Sequence, residues 1–236
     1  MLSELLTADY RPRKRNARLA GLFYLLSSAT FGFNVLYVLP TLIVPGDASA
    51  TAQNILGSEL LFRVGIVSEL ITAVLLILLA VTLYRLLNGV GKTLALLLLG
   101  FILVAATILF LNTLTEIGAL TLLHGTDYLA VFSKPQLEAQ AMLLLDLHSQ
   151  VVNVDNILFG LWLIPFGVLV YRSGFFPRIL GIFLILACFG YVLQSLVPLL
   201  LLPFGDVITL VSAVLGFLGE GIMQVWLIVM GANMPR

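Results

Sequence analysis

The chain alternates long apolar runs with short polar breaks, and six runs reach the ~20 residues that a helix needs to cross a hydrocarbon core of about 30 Å. They predict membrane-spanning helices over about 19–43, 60–86, 93–123, 151–171, 177–202 and 207–231. The expected fold is therefore all-α, a polytopic six-helix transmembrane bundle. It forms a single domain over 19–236, preceded by a basic segment at 1–18, with two longer connecting segments at about 44–59 and 124–150. In the second of these a helix-like pattern starts near Gln136 and runs straight into the fourth span.

Composition fixes the class independently. Of 236 residues 61% are apolar and 10% charged, against the roughly 25% charge of a soluble domain. The lipid bilayer is the expected partner. A net charge of zero gives no signal for nucleic acid. Cys188 is the single cysteine, which excludes an intramolecular disulfide, a CxxC redox pair and a thiolate metal cage.

The placement of the basic residues predicts orientation, because retained Lys and Arg mark the cytoplasmic side. Arg11, Arg13, Lys14, Arg15 and Arg18 precede the first span, Arg85 and Lys92 flank the loop after the second, Arg172 and Arg178 flank the loop after the fourth, and Arg236 ends the chain. Both termini are thus expected in the cytoplasm, with 44–59 and 124–150 outside. The first apolar run is longer than the ~7–15 residues of a signal core, so it is expected to stay as an anchor. Gly89-Val90-Gly91-Lys92-Thr93 resembles the end of a phosphate-binding loop, but Leu86 stands where that motif needs glycine.

Charged positions inside the apolar runs carry the functional signal. Glu69, Glu116, Asp155 and Glu220 all fall at predicted membrane depth, where ionisable groups are costly and usually face a bundle interior or a wet cavity. Helical rise puts them from about 6 to about 20 Å inside the outer ends of their spans. Asn112, Thr115 and Glu116 form an i, i+3, i+4 patch, and Gly216, Glu220 and Gln224 an i, i+4, i+8 stripe. Ser27, Thr30 and Asn34 on the first span and Tyr191 and Gln194 on the fifth add to them. On the helix leading into the fourth span, Asp146, Ser149, Gln150, Asn153 and Asn156 share one arc, while His148 and Asp155 share the opposite one.

Together these residues predict a polar pocket opening outward. Four acids meet one evident base, Arg63, so either several acids are protonated or a cation or cationic ligand neutralises them. Glu69, Glu116, Asp155, Glu220 and Arg63 are the expected charge partners, and Asn34, Asn112, Asn153, Gln194 and Gln224 the orienting polar groups. A short internal echo joins two of the acids: Gly65-x-x-x-Glu69 in the second span and Gly216-x-x-x-Glu220 in the sixth. The two would be counterparts in a parallel repeat.

Several motifs carry a resemblance across nearly the whole chain: Arg18-x-Ala-Gly-x-x-Tyr-Leu-Leu26, Val44-Pro-Gly-Asp-Ala48 with Thr51-Ala-x-Asn-Ile-Leu56, and Leu61-Phe-Arg-x-Gly65. Leu147-His148 followed by Phe159-Gly160, Arg172-Ser-Gly-Phe-x-Pro-Arg-Ile-Leu-Gly181, and Gly219-Glu220 before Trp226 complete the set. In combination they resemble the bacterial membrane family labelled domain of unknown function 4386. The resemblance implies a multi-span protein of a bacterial inner membrane and no particular reaction or cofactor.

The expected function is binding or transport of a small cationic or protonatable ligand, with a homo-oligomer answering the objection that six spans are few for a monomeric carrier. Three alternatives stay open. One is a structural or assembly subunit whose polar interior specifies helix packing. Another is an intramembrane metal-assisted lipid hydrolase using His148, Asp155 and Glu116. The last is a haem protein with His124 and His148 as axial ligands. His148, Asp146 and His124 are the candidate metal or haem ligands, although no cofactor is required by the sequence and only two histidines exist.

Overall fold

The computed structural model describes residues 2–200 and 204–232. Among the described residues six helices are long and apolar enough to cross a membrane: Arg13–Leu42, Glu59–Leu87, Lys92–His124, Lys134–Arg172, Arg178–Leu199 and Val207–Val229. The protein is all-α among the described residues and has the build of a multi-pass membrane protein. Of the basic residues used to predict orientation, Arg236 and the side chain of Arg11 lie outside the described part.

Helix extends beyond the apolar runs wherever the flanking residues permit it. The first helix starts at Leu2, ahead of its apolar run, and the fourth spans 39 residues with a break in α pattern at Trp162. The expected continuity from Gln136 into the fourth span is present. Between the first and second spans, Ala48–Gly57 is helical and N-capped by Asp47, whose Oδ1 accepts the Ala50 N–H at 2.9 Å. That bond satisfies one of the backbone donors left open at a helix start.

Two spans depart from α geometry. Asn34–Val38 in the first and Phe217–Gly221 in the sixth are π turns, each holding an extra residue in the helix, a deviation frequent at functional sites. Both turns contain a polar residue singled out above, Asn34 and Glu220.

The chain divides into two compact units. One comprises residues 27–74 and 107–152, the other 1–26, 75–106 and 153–236. In the first of these, Val38, Leu42, Ile55, Phe62, Ala119 and Leu145 form a closed apolar cluster. A helix crossing there depends on Gly65, since a Cβ at that position would lie 2.4 Å from Asn34 Oδ1 and 2.9 Å from Val38 Cγ1. In the other unit the fourth and fifth spans touch through paired glycines, a Cβ on either Gly167 or Gly181 falling 2.5 Å from the other's carbonyl oxygen. Gly219 likewise lies against the Phe183 carbonyl and Ala187. Small residues let membrane helices approach closely enough for backbone contact.

Candidate functional site

In the unit formed by 27–74 and 107–152, four side chains from four spans converge in the interior. Asn34, Glu69, Glu116 and His148 are each at most 1% exposed. The Asn34 amide sits between the two acids, its Nδ2 donating to Glu69 Oε2 at 2.8 Å and to Glu116 Oε1 at 3.2 Å. It reaches them because its π turn faces Gly65, one turn before Glu69, where the missing Cβ leaves room. His148 Nε2 lies 3.5 Å from Glu69 Oε2. One donor atom from each of Glu69, Glu116 and His148 falls within 4.8 Å of the others.

The histidine is held from its other side. Asn112 Nδ2 donates to the His148 carbonyl at 3.1 Å and stands 3.0 Å from Nδ1. Thr115 Oγ1, whose proton goes to the Asn112 carbonyl at 2.7 Å, is 3.4 Å from the same Nδ1. The i, i+3, i+4 patch of the third span is therefore split in use: Asn112 and Thr115 orient His148, and Glu116 turns to Asn34. Beside the acids, Thr72 Oγ1 is hydrogen-bonded to Thr30 Oγ1 at 2.6 Å.

Among the described residues no lysine or arginine joins the cluster. Glu69 Oε1, Glu116 Oε2, His148 Nε2, Asn34 Oδ1 and Asn112 Oδ1 are all buried without a hydrogen-bond partner. Buried polar atoms are paired in the great majority of cases, and five unpartnered atoms set this cluster apart. Arg63, expected beside the acids, is 55% exposed and donates its Nε to Glu59 at 2.6 Å. The i, i+4 spacing on its own helix and access to water explain that choice.

The other predicted residues fall outside this cluster. Glu220 belongs to the second unit, where Tyr24 and Tyr191 each donate a hydroxyl to one of its carboxylate oxygens. Asn153 donates to the Ser195 carbonyl at 3.4 Å, and Ser195 Oγ donates to the Asn153 carbonyl. Asp155 is 2% exposed with both oxygens unpartnered. Gln224 is buried and Gln194 half-buried in the same unit. Asp146 is exposed, and His124 is exposed with Nε2 3.3 Å from Glu59 Oε2. Of the three predicted metal or haem ligands, His148 alone joins the buried acids.

Tyr24 was absent from the expected polar set, although it stands three residues before Ser27 on the same helical stripe as Thr30 and Asn34. The glycines of the internal echo are used unequally. Gly65 makes room for Asn34, which bonds Glu69, and a Cβ at Gly216 would lie 3.4 Å from the hydroxyl of Tyr191, which bonds Glu220. The open position at Gly65 is needed by its acid's donor, whereas 3.4 Å at Gly216 is an ordinary van der Waals contact that a methyl group would also make.

Residues 19–231 match the family described as Domain of unknown function (DUF4386). The chain is a DUF4386 protein. It is similar to an uncharacterized protein of Archaeoglobus fulgidus, with 27% identity over 157 residues, covering 66% of this chain and 77% of the relative. No solved structure matches this DUF4386 protein.

Proposed function

We propose that this DUF4386 protein binds, and carries within the membrane, a small cationic or protonatable ligand through Glu69 and Glu116. The observation that supports this reading is the pair of fully buried carboxylates bridged by the neutral amide of Asn34. Two unit charges about 5 Å apart repel by roughly 3 kcal/mol at an effective dielectric near 20, and desolvation adds to that cost. A shared proton or a bound cation removes both penalties. Exchange between the two occupants would couple ligand binding to proton release. The distribution of basic residues favours a cytoplasmic membrane with both termini inside, and a homodimer would supply the spans that a carrier needs.

The test is thermal stability of the purified protein in detergent across a panel of amines, polyamines, metal ions and monovalent cations, since a ligand that binds the native state raises the melting temperature. The expected result is a saturable rise that disappears in Glu69→Gln and in Glu116→Gln. A flat response across the panel, or a rise that both variants keep, would refute the reading.

A structural role is favoured for Glu220. Both of its oxygens already accept hydroxyl protons from tyrosines, so this acid ties together its own unit and offers no free lone-pair direction comparable to that of Glu69.

A further inference from the structure

We propose that Glu69, Glu116 and His148 form a binding site for a first-row divalent transition-metal ion, Zn2+ being the ion of choice. The proposal rests on the cation reading above and narrows it, because it adds a neutral nitrogen donor that an organic ammonium or an alkali ion does not need.

Three observations carry it. The first is the donor set: one imidazole nitrogen and two carboxylates match the borderline-soft N/O preference of Zn2+ and Co2+, whereas Mg2+, Ca2+ and Mn2+ favour oxygen. The second is spacing. His148 Nε2 and Glu69 Oε2 lie 3.5 Å apart. Two donors at about 2.1 Å from one tetrahedral ion stand roughly 3.4 Å apart, while two acceptors at hydrogen-bond distance from one ammonium, about 2.9 Å, stand roughly 4.7 Å apart. The third is that each ligand carries a fully buried atom without a hydrogen-bond partner, Glu69 Oε1, Glu116 Oε2 and His148 Nε2, the other Glu69 oxygen facing His148 and accepting from Asn34.

The surroundings supply what a metal-bound histidine requires of its other nitrogen. A ligating imidazole donates its second N–H to a neighbouring acceptor, which fixes tautomer and orientation. Thr115 Oγ1 lies 3.4 Å from Nδ1 with its own proton committed to the Asn112 carbonyl, leaving its lone pairs to accept. Asn112 Nδ2, 3.0 Å from Nδ1, favours the tautomer that carries its proton on Nε2, 3.5 Å from Glu69 Oε2. A bound ion would take Nε2 as its ligand, its proton being replaced by one on Nδ1 that donates to Thr115 Oγ1, while the Asn112 amide gives up its contact with Nδ1 and keeps the His148 carbonyl. Asn112 and Thr115 act as positioning residues. Asn34, with Oδ1 unpartnered, presents a fourth oxygen after a half-turn of its amide.

The experiment uses the full chain in detergent, stripped of metal and titrated with Co2+, which reports ligand number through its visible d–d absorption. One Co2+ per chain with the intense bands of a four-coordinate ion is expected. Binding should be lost in His148→Gln, weakened about 10- to 100-fold in Thr115→Val, and unchanged in Glu59→Gln, which alters the exposed Glu59–His124 pair. A variant-free measurement accompanies it: 15N NMR of labelled histidine, where Zn2+ should move one of the two imidazoles from the Nε2–H to the Nδ1–H tautomer. Absence of bands, bands that survive His148→Gln, or bands abolished by Glu59→Gln would overturn the proposal, as would an unmoved tautomer. If Co2+ fails while an amine or monovalent cation still stabilises wild type and not Glu69→Gln, the metal is refuted and the cation site stands. If nothing stabilises wild type, both fall.

Discussion

Replacing Gly65 by alanine tests the architecture of the site at its narrowest point. The added methyl would lie 2.4 Å from Asn34 Oδ1 and 2.9 Å from Val38 Cγ1, so the first span or the Asn34 side chain must shift. Overpacking of this kind costs about 1–3 kcal/mol. Alanine regains about 1 kcal/mol over glycine in a helix interior. Displacing Asn34 also forfeits its two bonds to the acids, each worth about 1.5–3 kcal/mol if the carboxylate is ionised. With both bonds lost and the acids ionised, these terms give a net loss of about 3–8 kcal/mol. The assay is reversible unfolding in mixed micelles, run beside Gly100→Ala, where no neighbour lies within 4 Å and the propensity gain of about 1 kcal/mol should stand alone. Adding Asn34→Ala to Gly65→Ala removes the main clash, so the double variant should be less destabilised than the sum of the singles. Strict additivity, or a Gly65→Ala protein as stable as wild type, would refute the claim that this glycine exists to admit Asn34.

Three further outcomes follow from the same geometry. Gly167→Ala should destabilise by at least the ~1–3 kcal/mol of overpacking, and truncating Ile185, whose Cγ1 would lie 2.7 Å from the new methyl, should rescue it only in part because the Gly181 carbonyl at 2.5 Å stays in place; unfolding of paired variants checks this. Tyr191→Phe should cost about 1–3 kcal/mol by leaving Glu220 with one donor, and thermal unfolding should show the loss without any change in ligand response at Glu69. Glu59→Gln should leave the melting temperature unmoved at physiological salt, because its partners Arg63 and His124 are solvent-exposed and such pairs are screened.

The spans were legible because length and apolarity alone decide them: the expected 60–86 and 93–123 lie within the observed Glu59–Leu87 and Lys92–His124. The π turns were not, since no propensity marks Asn34–Val38 or Phe217–Gly221. That omission shaped the reading of the site. Uniform α periodicity groups Asn112, Thr115 and Glu116 as one patch and puts His148 on an arc with Asp155. Tertiary contacts instead join His148 to Asn112, Thr115 and Glu69, and Glu116 to Asn34. Helical spacing tells which side chains share a face; which neighbouring helix meets that face depends on crossings set by glycines such as Gly65. Arg63 illustrates the remaining gap, because a span boundary moved by one turn separates a buried counter-ion from a solvated one.

The π turn around Asn34 has a meaning for how such a protein can change over time. A π turn is a one-residue insertion absorbed without breaking the helix. Each residue of an α-helix advances about 100° around the axis. Because the turn takes up its extra residue locally, deleting one residue between Asn34 and Val38 would restore ordinary turns, keep both halves of the first span in register and turn the side chains within the former π turn by about that angle. A different side chain would then face Glu69 and Glu116, while the carboxylates, the histidine and the packing of the other spans stayed as they are. Lineages could thus retune what the acids accept through a length change of a single codon, a larger step in chemistry than most substitutions allow and one that leaves the rest of the bundle untouched.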